Sequence, residues 1–211
     1  MGRGEIQAVI FDFGNVLSIP VNHAGVLSLA SKLSLPKEQF ISAYKKNRPP
    51  FDKGTITFHE YWRMVFCDLS SAVSEEIIED FISRDVEDWT HINPQMLSWQ
   101  GILSENGYRT AILSNLPEYY GVLFRKNFPW LNTFHTVIFS CDVNVIKPEL
   151  KIYDLCIEGL GIDPGRVLFL DDYEENVIGA RSAGLNAEVF INSEKTIPYI
   201  SRKYSLPGMQ N

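Results

Sequence analysis

An α/β architecture follows from three features of this chain: a doubly wound parallel sheet carrying a small, mainly helical insert. Five short apolar runs end abruptly in small or acidic residues, and near-continuous apolar strands mark a parallel sheet covered on both faces. Helical stretches alternate with these runs throughout the C-terminal half, as in doubly wound folds. Residues 17–92 break the alternation and hold no convincing strand. The core is therefore expected at 1–16 and 93–211, with 17–92 inserted after the first strand.

The first run, Ala8-Val9-Ile10-Phe11, stops at Asp12. Helical stretches then cover 22–33, 36–46, 58–67 and 75–83. Thr57 with Glu60 three residues later has the pattern of a capping box at the start of the third. The turn-rich piece Asn47-Arg48-Pro49-Pro50-Phe51-Asp52-Lys53-Gly54 divides the insert. Asn93-Pro94 starts the next helix and Gly107 stops it. The run Thr110-Ala111-Ile112-Leu113 stops at Ser114-Asn115, and a helix is expected at 117–127. Val137-Ile138-Phe139 stops at Ser140 and leads to a helix at 148–160. Val167-Leu168-Phe169-Leu170 stops at Asp171-Asp172, and a helix at 174–183 is closed by Gly184. Ala187-Glu188-Val189-Phe190-Ile191 is a fifth, less pure strand. From Pro198 the tail has little pattern and is expected to fray.

With 211 residues, 45% hydrophobic and 21% charged, the chain can bury a core without staples. That composition excludes disordered, collagen-like and disulfide-scaffold classes. Asp plus Glu number 26 against 19 Lys plus Arg, a net charge of -7. No basic excess is available for a nucleic-acid backbone or an anionic membrane. An anionic substrate would need a local inversion of charge, by a metal or a few placed cations. Cys67, Cys141 and Cys156 are too few and too widely spaced for a disulfide framework. Two of them sit in apolar runs and read as buried thiols. No signal-peptide pattern is present, and no apolar run approaches the roughly 20 residues of a membrane span. A cytoplasmic protein is expected. The sequence does not distinguish a monomer from a homodimer.

In an open Rossmann-like sheet, ligands bind outside the carboxyl ends of the strands. Asp12, Ser114-Asn115, Ser140 and Asp171-Asp172 all fall there, and Lys147-Pro148 follows the third strand. Singly, each reads as a helix cap or turn residue. Their shared position, strand after strand, points to one site. Three carboxylates so close raise each other's pKa unless a cation joins them. Oxygen-only ligands suit Mg²⁺, and Lys147 is a compact charge for a phosphate or for the nucleophile.

These residues also resemble the motifs of the haloacid dehalogenase superfamily. AVIFDFGNVL (8–17) is similar to its first motif and ILSN (112–115) to its second. Lys147-Pro148 followed by Tyr153 is similar to the third, and LFLDDYEEN (168–176) to the fourth. The helical insert resembles the small cap of the capped branch of that family, and PFDKGTITFHEYW resembles a recurring cap segment of phosphatase-like members. The resemblance implies a hydrolase that forms an aspartyl-phosphate on Asp12. It implies Mg²⁺ held by Asp12, the Gly14 carbonyl, Asp172 and Asp171. Ser114, Asn115 and Lys147 would hold the phosphate of a small phosphorylated metabolite, with sugar phosphates favoured, and Asn176 would orient an acidic ligand or a water. Phosphoryl transfer by such a site works through positioning and electrostatics.

One departure stands out. Most phosphatases of this family carry a second Asp two residues after the nucleophile, as general acid and base, where this chain has Gly14. Losing such a group costs about 10²–10⁴ in rate. A subset shares the Asp-x-Gly-Asn pattern, and some of its members resemble glucose 1-phosphate phosphatases. Three readings stay open: a good leaving group, a proton from a cap residue or water, or a weak enzyme with a binding role. His23 is the candidate replacement acid. Lys45, Lys46 and Arg48 form a small basic cluster in the insert with two readings, a contact to the substrate's phosphate or sugar and, favoured, a solvated face. Tyr119, Tyr120 and Trp130 read as packing residues, and Phe13 as a border of the leaving-group pocket. A metal-independent haloacid dehalogenase, a phosphoglucomutase and a non-catalytic binding domain are the alternatives. The acidic pair Asp171-Asp172 weighs against the first, and the missing acid against the second.

Overall fold

The computed structural model describes residues 5–209, so residues 1–4 and 210–211 of the expected core lie outside the described residues. Five parallel strands form one sheet: β1 (Ala8–Phe11), β2 (Arg109–Ser114), β3 (Thr136–Phe139), β4 (Val167–Asp171) and β5 (Asn186–Val189). Their order is β3-β2-β1-β4-β5. β1 lies at the centre, with Phe11 level with Ile112 on one side and Leu170 on the other. The pleat divides its side chains between two cores. Ala8 and Ile10 join one, Val9 and Phe11 the other.

The insert contains α1 (Ala24–Lys32), α2 (Lys37–Lys46), α3 (Arg48–Asp52), α4 (Phe58–Asp68) and α5 (Glu75–Asp88). Aromatic rings fill their interior: Trp62 lies 6.1 Å from Phe40 and 4.9 Å from Phe81. The capping box of α4 forms, with Thr57 N–H donating to Glu60 at 2.7 Å. The chain leaves and re-enters the sheet through two antiparallel connections. Ile19 N–H donates to His91 O at 2.9 Å, and Asn93 N–H to Leu17 O at 2.8 Å.

The remaining helices are α6 (Pro94–Glu105), α7 (Glu118–Asn127), α8 (Ser140–Val143), α9 (Leu150–Leu160), α10 (Glu174–Ser182) and α11 (Ser193–Tyr204). α9 and α10 supply Ile152, Tyr153, Cys156, Leu160, Val177 and Ala180 to one core. α6 and α11 supply Met96, Trp99, Leu103, Ile197 and Ile200 to the other. No helix among the described residues is long and apolar enough to cross a membrane.

The structure corrects four expectations. The piece read as turn-rich contains the helix α3. Pro49 and Pro50 fall in its first turn, where a missing N–H costs nothing. The tail does not fray, because α11 runs through Pro198 to Tyr204 and buries Ile197 and Ile200. Beyond it Leu206 is buried, and the Trp99 indole donates to Pro207 O at 2.7 Å. β5 ends at Val189, and Ile191 stands 66% exposed, as suits an edge strand. Of the three cysteines, Cys156 alone is fully buried.

Candidate active site

At the carboxyl end of β1 the chain turns sharply through Phe13–Leu17. Asp12 N–H still donates to Leu170 O at 2.9 Å. The turn is held by Phe13 N–H donating back to Asp12 Oδ1 at 2.7 Å and by Ser18 N–H donating to Phe13 O at 2.8 Å. Asn15 occupies the left-handed region, φ 56°, a conformation Asn tolerates. Its amide donates to Asp172 Oδ2 at 2.9 Å and its carbonyl accepts from Val21 N–H at 2.9 Å. Asn15 thus ties the ends of β1 and β4 together.

Lys147 lies between two strand ends. Its Nζ is 2.8 Å from Asp12 Oδ1 and 2.6 Å from Asp171 Oδ2. Asn115, at the end of β2, clasps this loop. It accepts from Lys147 N–H at 2.7 Å and donates to Lys147 O at 3.0 Å. The Asn115 side chain is therefore committed to positioning Lys147. Asp171 is fully buried and accepts from Lys147, from Asn176 on both oxygens at 3.1 Å, and from Tyr173 N–H at 2.8 Å. Three donor groups thus make four hydrogen bonds to this one carboxylate.

Asp12, Asp171 and Asp172 each offer an oxygen within 4.8 Å of the others. Burial drives the Asp12 carboxyl up to about 7; Lys147 opposes this, while Asp171 and Asp172 add to it. Burial also raises Asp172, tempered by the Asn15 hydrogen bond. Burial would lower the Lys147 ammonium, but Asp12 and Asp171 outweigh it and hold the pKa above the usual lysine value. The site keeps one firm positive charge among three carboxylates.

These groups open onto a cavity of about 470 Å³, which the Ser114, Asn115, Gly14, Asp172 and Asn176 positions also line. Its opposite wall comes from the helical insert: His23, Tyr44, Lys45, Arg48, Asp52 and Trp89. The insert therefore covers the same edge of the sheet where the strand ends converge. Arg48 is no solvated residue. It is half-buried, with its Nη2 2.6 Å from Asp52 Oδ1, its Nη1 donating to the Tyr44 hydroxyl at 3.5 Å, and the Trp89 and Phe51 rings 5.8 and 5.5 Å from its guanidinium carbon. Lys45 and Lys46 are exposed as expected; Lys46 pairs with Asp68 at 2.7 Å, and Lys45 also borders the cavity. Burial, then Arg48 and Lys45, push the His23 imidazole down to about 4, so it is neutral at pH 7. A neutral imidazole is a poor proton donor, which removes His23 as the replacement acid.

Phe13 turns inward and stacks on Phe124 at 4.5 Å; Trp130 lies parallel to it at 6.3 Å. Tyr120 is buried at the cavity wall, whereas Tyr119 is 49% exposed. Gly14 has an ordinary extended conformation, φ −62° and ψ 130°. A Cβ there would meet the six-membered ring of Trp89 at 3.1 Å. The space above Gly14 is thus filled by an indole from the end of the insert. Sequence reasoning missed Asn15, Asp52 and Trp89. For Asp52 a signal existed: Arg48 and Asp52 stand four residues apart, the spacing of a helical ion pair.

A sequence profile of haloacid dehalogenase-like hydrolases matches residues 6–184. The chain is 29% identical over 197 residues to bifunctional epoxide hydrolase 2 of Rattus norvegicus, covering 85% of this chain but 35% of that protein, so it spans about a third of that relative. It is 22% identical over 203 residues to (S)-2-haloacid dehalogenase 4A of Burkholderia cepacia, covering 92% of this chain and 86% of that one. A haloacid dehalogenase family enzyme of Bacteroides thetaiotaomicron superposes with a TM-score of 0.75 at 22% identity, covering 93% of this chain and 99% of its own. The same enzyme has been solved with magnesium and inorganic phosphate, at a TM-score of 0.68 and 23% identity over 87% of this chain and 93% of that one.

Proposed function

The chain belongs to the haloacid dehalogenase-like hydrolase family, and from that premise we propose that it is a Mg²⁺-dependent phosphatase of a small phosphorylated metabolite, with a sugar phosphate favoured. The observation that carries this reading is the convergence of Asp12, Asp171 and Asp172 on one point beside Lys147.

The donor set fits Mg²⁺. It is all oxygen, and three carboxylates against one ammonium leave an excess of negative charge. Burial first, and the neighbouring carboxylates after it, raise the Asp12 and Asp172 carboxyls, and a cation bound there would relieve both effects. Asp12, Asp172 and the Gly14 carbonyl would hold the ion; Asp171, whose oxygens already accept from Lys147, Asn176 and Tyr173 N–H, adjoins them. Bound there, Mg²⁺ supplies positive charge for the phosphate oxygens. The Bacteroides neighbour, solved with magnesium and phosphate, supports the same reading.

Asp12 is the nucleophile. Its carboxylate attacks phosphorus, the ester bond breaks, and water hydrolyses the aspartyl-phosphate. Lys147, at 2.8 Å, favours the ionised form of Asp12 and counters the charge of the phosphate. Ser114 and the backbone about Asn115 hold the phosphoryl oxygens. Residues 17–92 act as a cap on the core formed by 1–16 and 93–211. The cap excludes bulk water, which strengthens every fixed charge inside.

The Burkholderia relative supports a second reading, attack of Asp12 on a carbon–halogen bond without metal. The acidic pair Asp171-Asp172 counts against it, since a metal-free site has no use for that repulsion. The test is hydrolysis of p-nitrophenyl phosphate and of L-2-chloropropionate, each with Mg²⁺ and with chelator. Phosphate release that needs Mg²⁺, and no halide release, is the expected result. Halide release indifferent to chelation would establish the second reading instead.

A further inference from the structure

Gly14 leaves the leaving group without the usual acid, and Trp89 fills the space where one would stand. For a leaving group that needs protonation, a side-chain donor would stand elsewhere on the cavity wall. Lys147 is locked between two carboxylates. His23 is neutral at pH 7. Burial holds the Tyr44 and Tyr120 hydroxyls well above the usual tyrosine range. Glu175 is exposed to solvent. Asp52 remains.

Asp52 reaches the cavity from the last turn of α3 and is 9% exposed. Arg48 Nη2 lies 2.6 Å from its Oδ1, yet no aligned hydrogen-bond donor satisfies that oxygen. The end of α3 is latched to the core at the strand-end edge. Ser140 Oγ donates to the Asp52 carbonyl and itself accepts from Leu116 N–H at 2.8 Å. One residue on, Lys53 O accepts from Asn144 at 2.8 Å, and Lys53 Nζ pairs with Glu149 at 2.8 Å. Asp52 is thus fixed against the loops that follow β2 and β3, where the phosphoryl group is held. Arg48 on its own helix, Lys147 from the core and Tyr61 from α4 are the charged and titratable groups about it.

We propose that Asp52 is the proton donor to the leaving group, taking the place of the carboxyl group that Gly14 lacks. The inference rests on the phosphatase reading. As the Asp12 carboxylate forms its bond to phosphorus, the ester P–O bond breaks. The Asp52 carboxyl gives its proton to the departing oxygen, releasing an alcohol. Arg48 then stabilises the Asp52 carboxylate. In the second half, water bonds to phosphorus, the Asp12–phosphorus bond breaks, and the water's proton returns to Asp52. Burial raises the Asp52 carboxyl to about 6 against the opposing pull of Arg48 and Lys147, which suits both halves near neutral pH.

The experiment measures kcat/KM with Mg²⁺ for a series of substituted phenyl phosphates and one simple alkyl phosphate. Wild type, Asp52→Asn and Asp52→Glu are compared, with circular dichroism as the check of folding. Asp52→Asn is expected to lose less than about tenfold on p-nitrophenyl phosphate and about 10²–10⁴-fold on the alkyl phosphate. Its leaving-group dependence becomes steep where that of wild type is shallow, and Asp52→Glu recovers part of the loss. An equal loss across the series would mean that Asp52 only positions the cap, and would overturn the proposal. So would a wild-type dependence already as steep as that of Asp52→Asn, a comparison against the intrinsic slope of acid-free hydrolysis that decides the matter even if the Asn variant does not fold. Absence of any phosphate release by wild type would instead sink the phosphatase reading, and this proposal with it.

Discussion

Adding a single methyl group at Gly14 tests how the cap meets the nucleophile turn. In Gly14→Ala the new Cβ would lie 3.1 Å from one Trp89 ring carbon and 3.5 Å from the next. The backbone, at φ −62° and ψ 130°, accepts an alanine without strain. Removing glycine's freedom in the unfolded chain favours folding by about 0.4–1 kcal/mol. Overpacking against a ring held by His23 and Arg48 opposes this by about 1–3 kcal/mol. The net expectation is a destabilisation of about 1 kcal/mol. Trp89→Phe removes the ring carbons that the methyl meets. In that background the same Gly14→Ala change should be neutral or stabilising by up to about 1 kcal/mol. Urea unfolding of the four proteins closes a double-mutant cycle, with an expected coupling of about 1–2 kcal/mol. Additive effects would show that Trp89 does not press on Gly14, and would refute the account of why the usual acid is absent. In the Asp52→Asn background, the same logic predicts that Gly14→Asp restores turnover of poor leaving groups only together with Trp89→Phe.

Other outcomes follow from the same geometry. Asp12→Asn should abolish turnover while circular dichroism and melting stay close to wild type; near-normal activity would end its role as nucleophile. Lys147→Met leaves Asp12 and Asp171 buried without their cation, so urea unfolding at pH 8 should report a loss of about 3–5 kcal/mol. At pH 5 the loss should be smaller, because Asp12, raised to about 7, takes up a proton there; equal losses at both pH values would contradict this. His23 is depressed to about 4, so its contribution to stability is complete above its ordinary value near 6.5 and is lost as pH falls toward 4. The imidazole is partly exposed, which limits the loss to below about 2 kcal/mol; melting temperatures of His23→Gln should accordingly fall less than wild type across that window. Thorough chelation should silence phosphate release, and added Mg²⁺ should restore it.

The strand ends were legible in the sequence because each short apolar run stops at a polar residue, and parallel pairing puts equivalent ends at one edge. β1 with Asp12 and β4 with Asp171 follow this rule directly. The helices of the insert were legible where periodicity or a cap marked them, as at Thr57–Glu60. α3 was hidden because Pro49-Pro50 reads as a turn, although prolines fit a first helical turn. α11 was hidden because Pro198 suggests a break, whereas burial of Ile197 and Ile200 offsets the one lost hydrogen bond. Asp52, Trp89 and Asn15 reach the site only through tertiary packing. The latch from Ser140 to Asp52 joins residues 88 positions apart, and Asn15 meets Asp172 across 157. His23 shows the opposite limit: its position was legible, but its charge was decided by burial and by Arg48.

The central claim is that Asp12 attacks phosphorus. An acid quench during the first turnover of p-nitrophenyl phosphate with Mg²⁺, followed by borohydride reduction, tests it most directly, because borohydride reduces an acyl-phosphate carbonyl but not a free carboxylate. Mass spectrometry should then find the Asp12 carboxyl reduced to a primary alcohol in the peptide that carries it. Phosphate released with Asp12 unmodified at every time of quench would mean that water attacks the substrate directly, and would contradict the account.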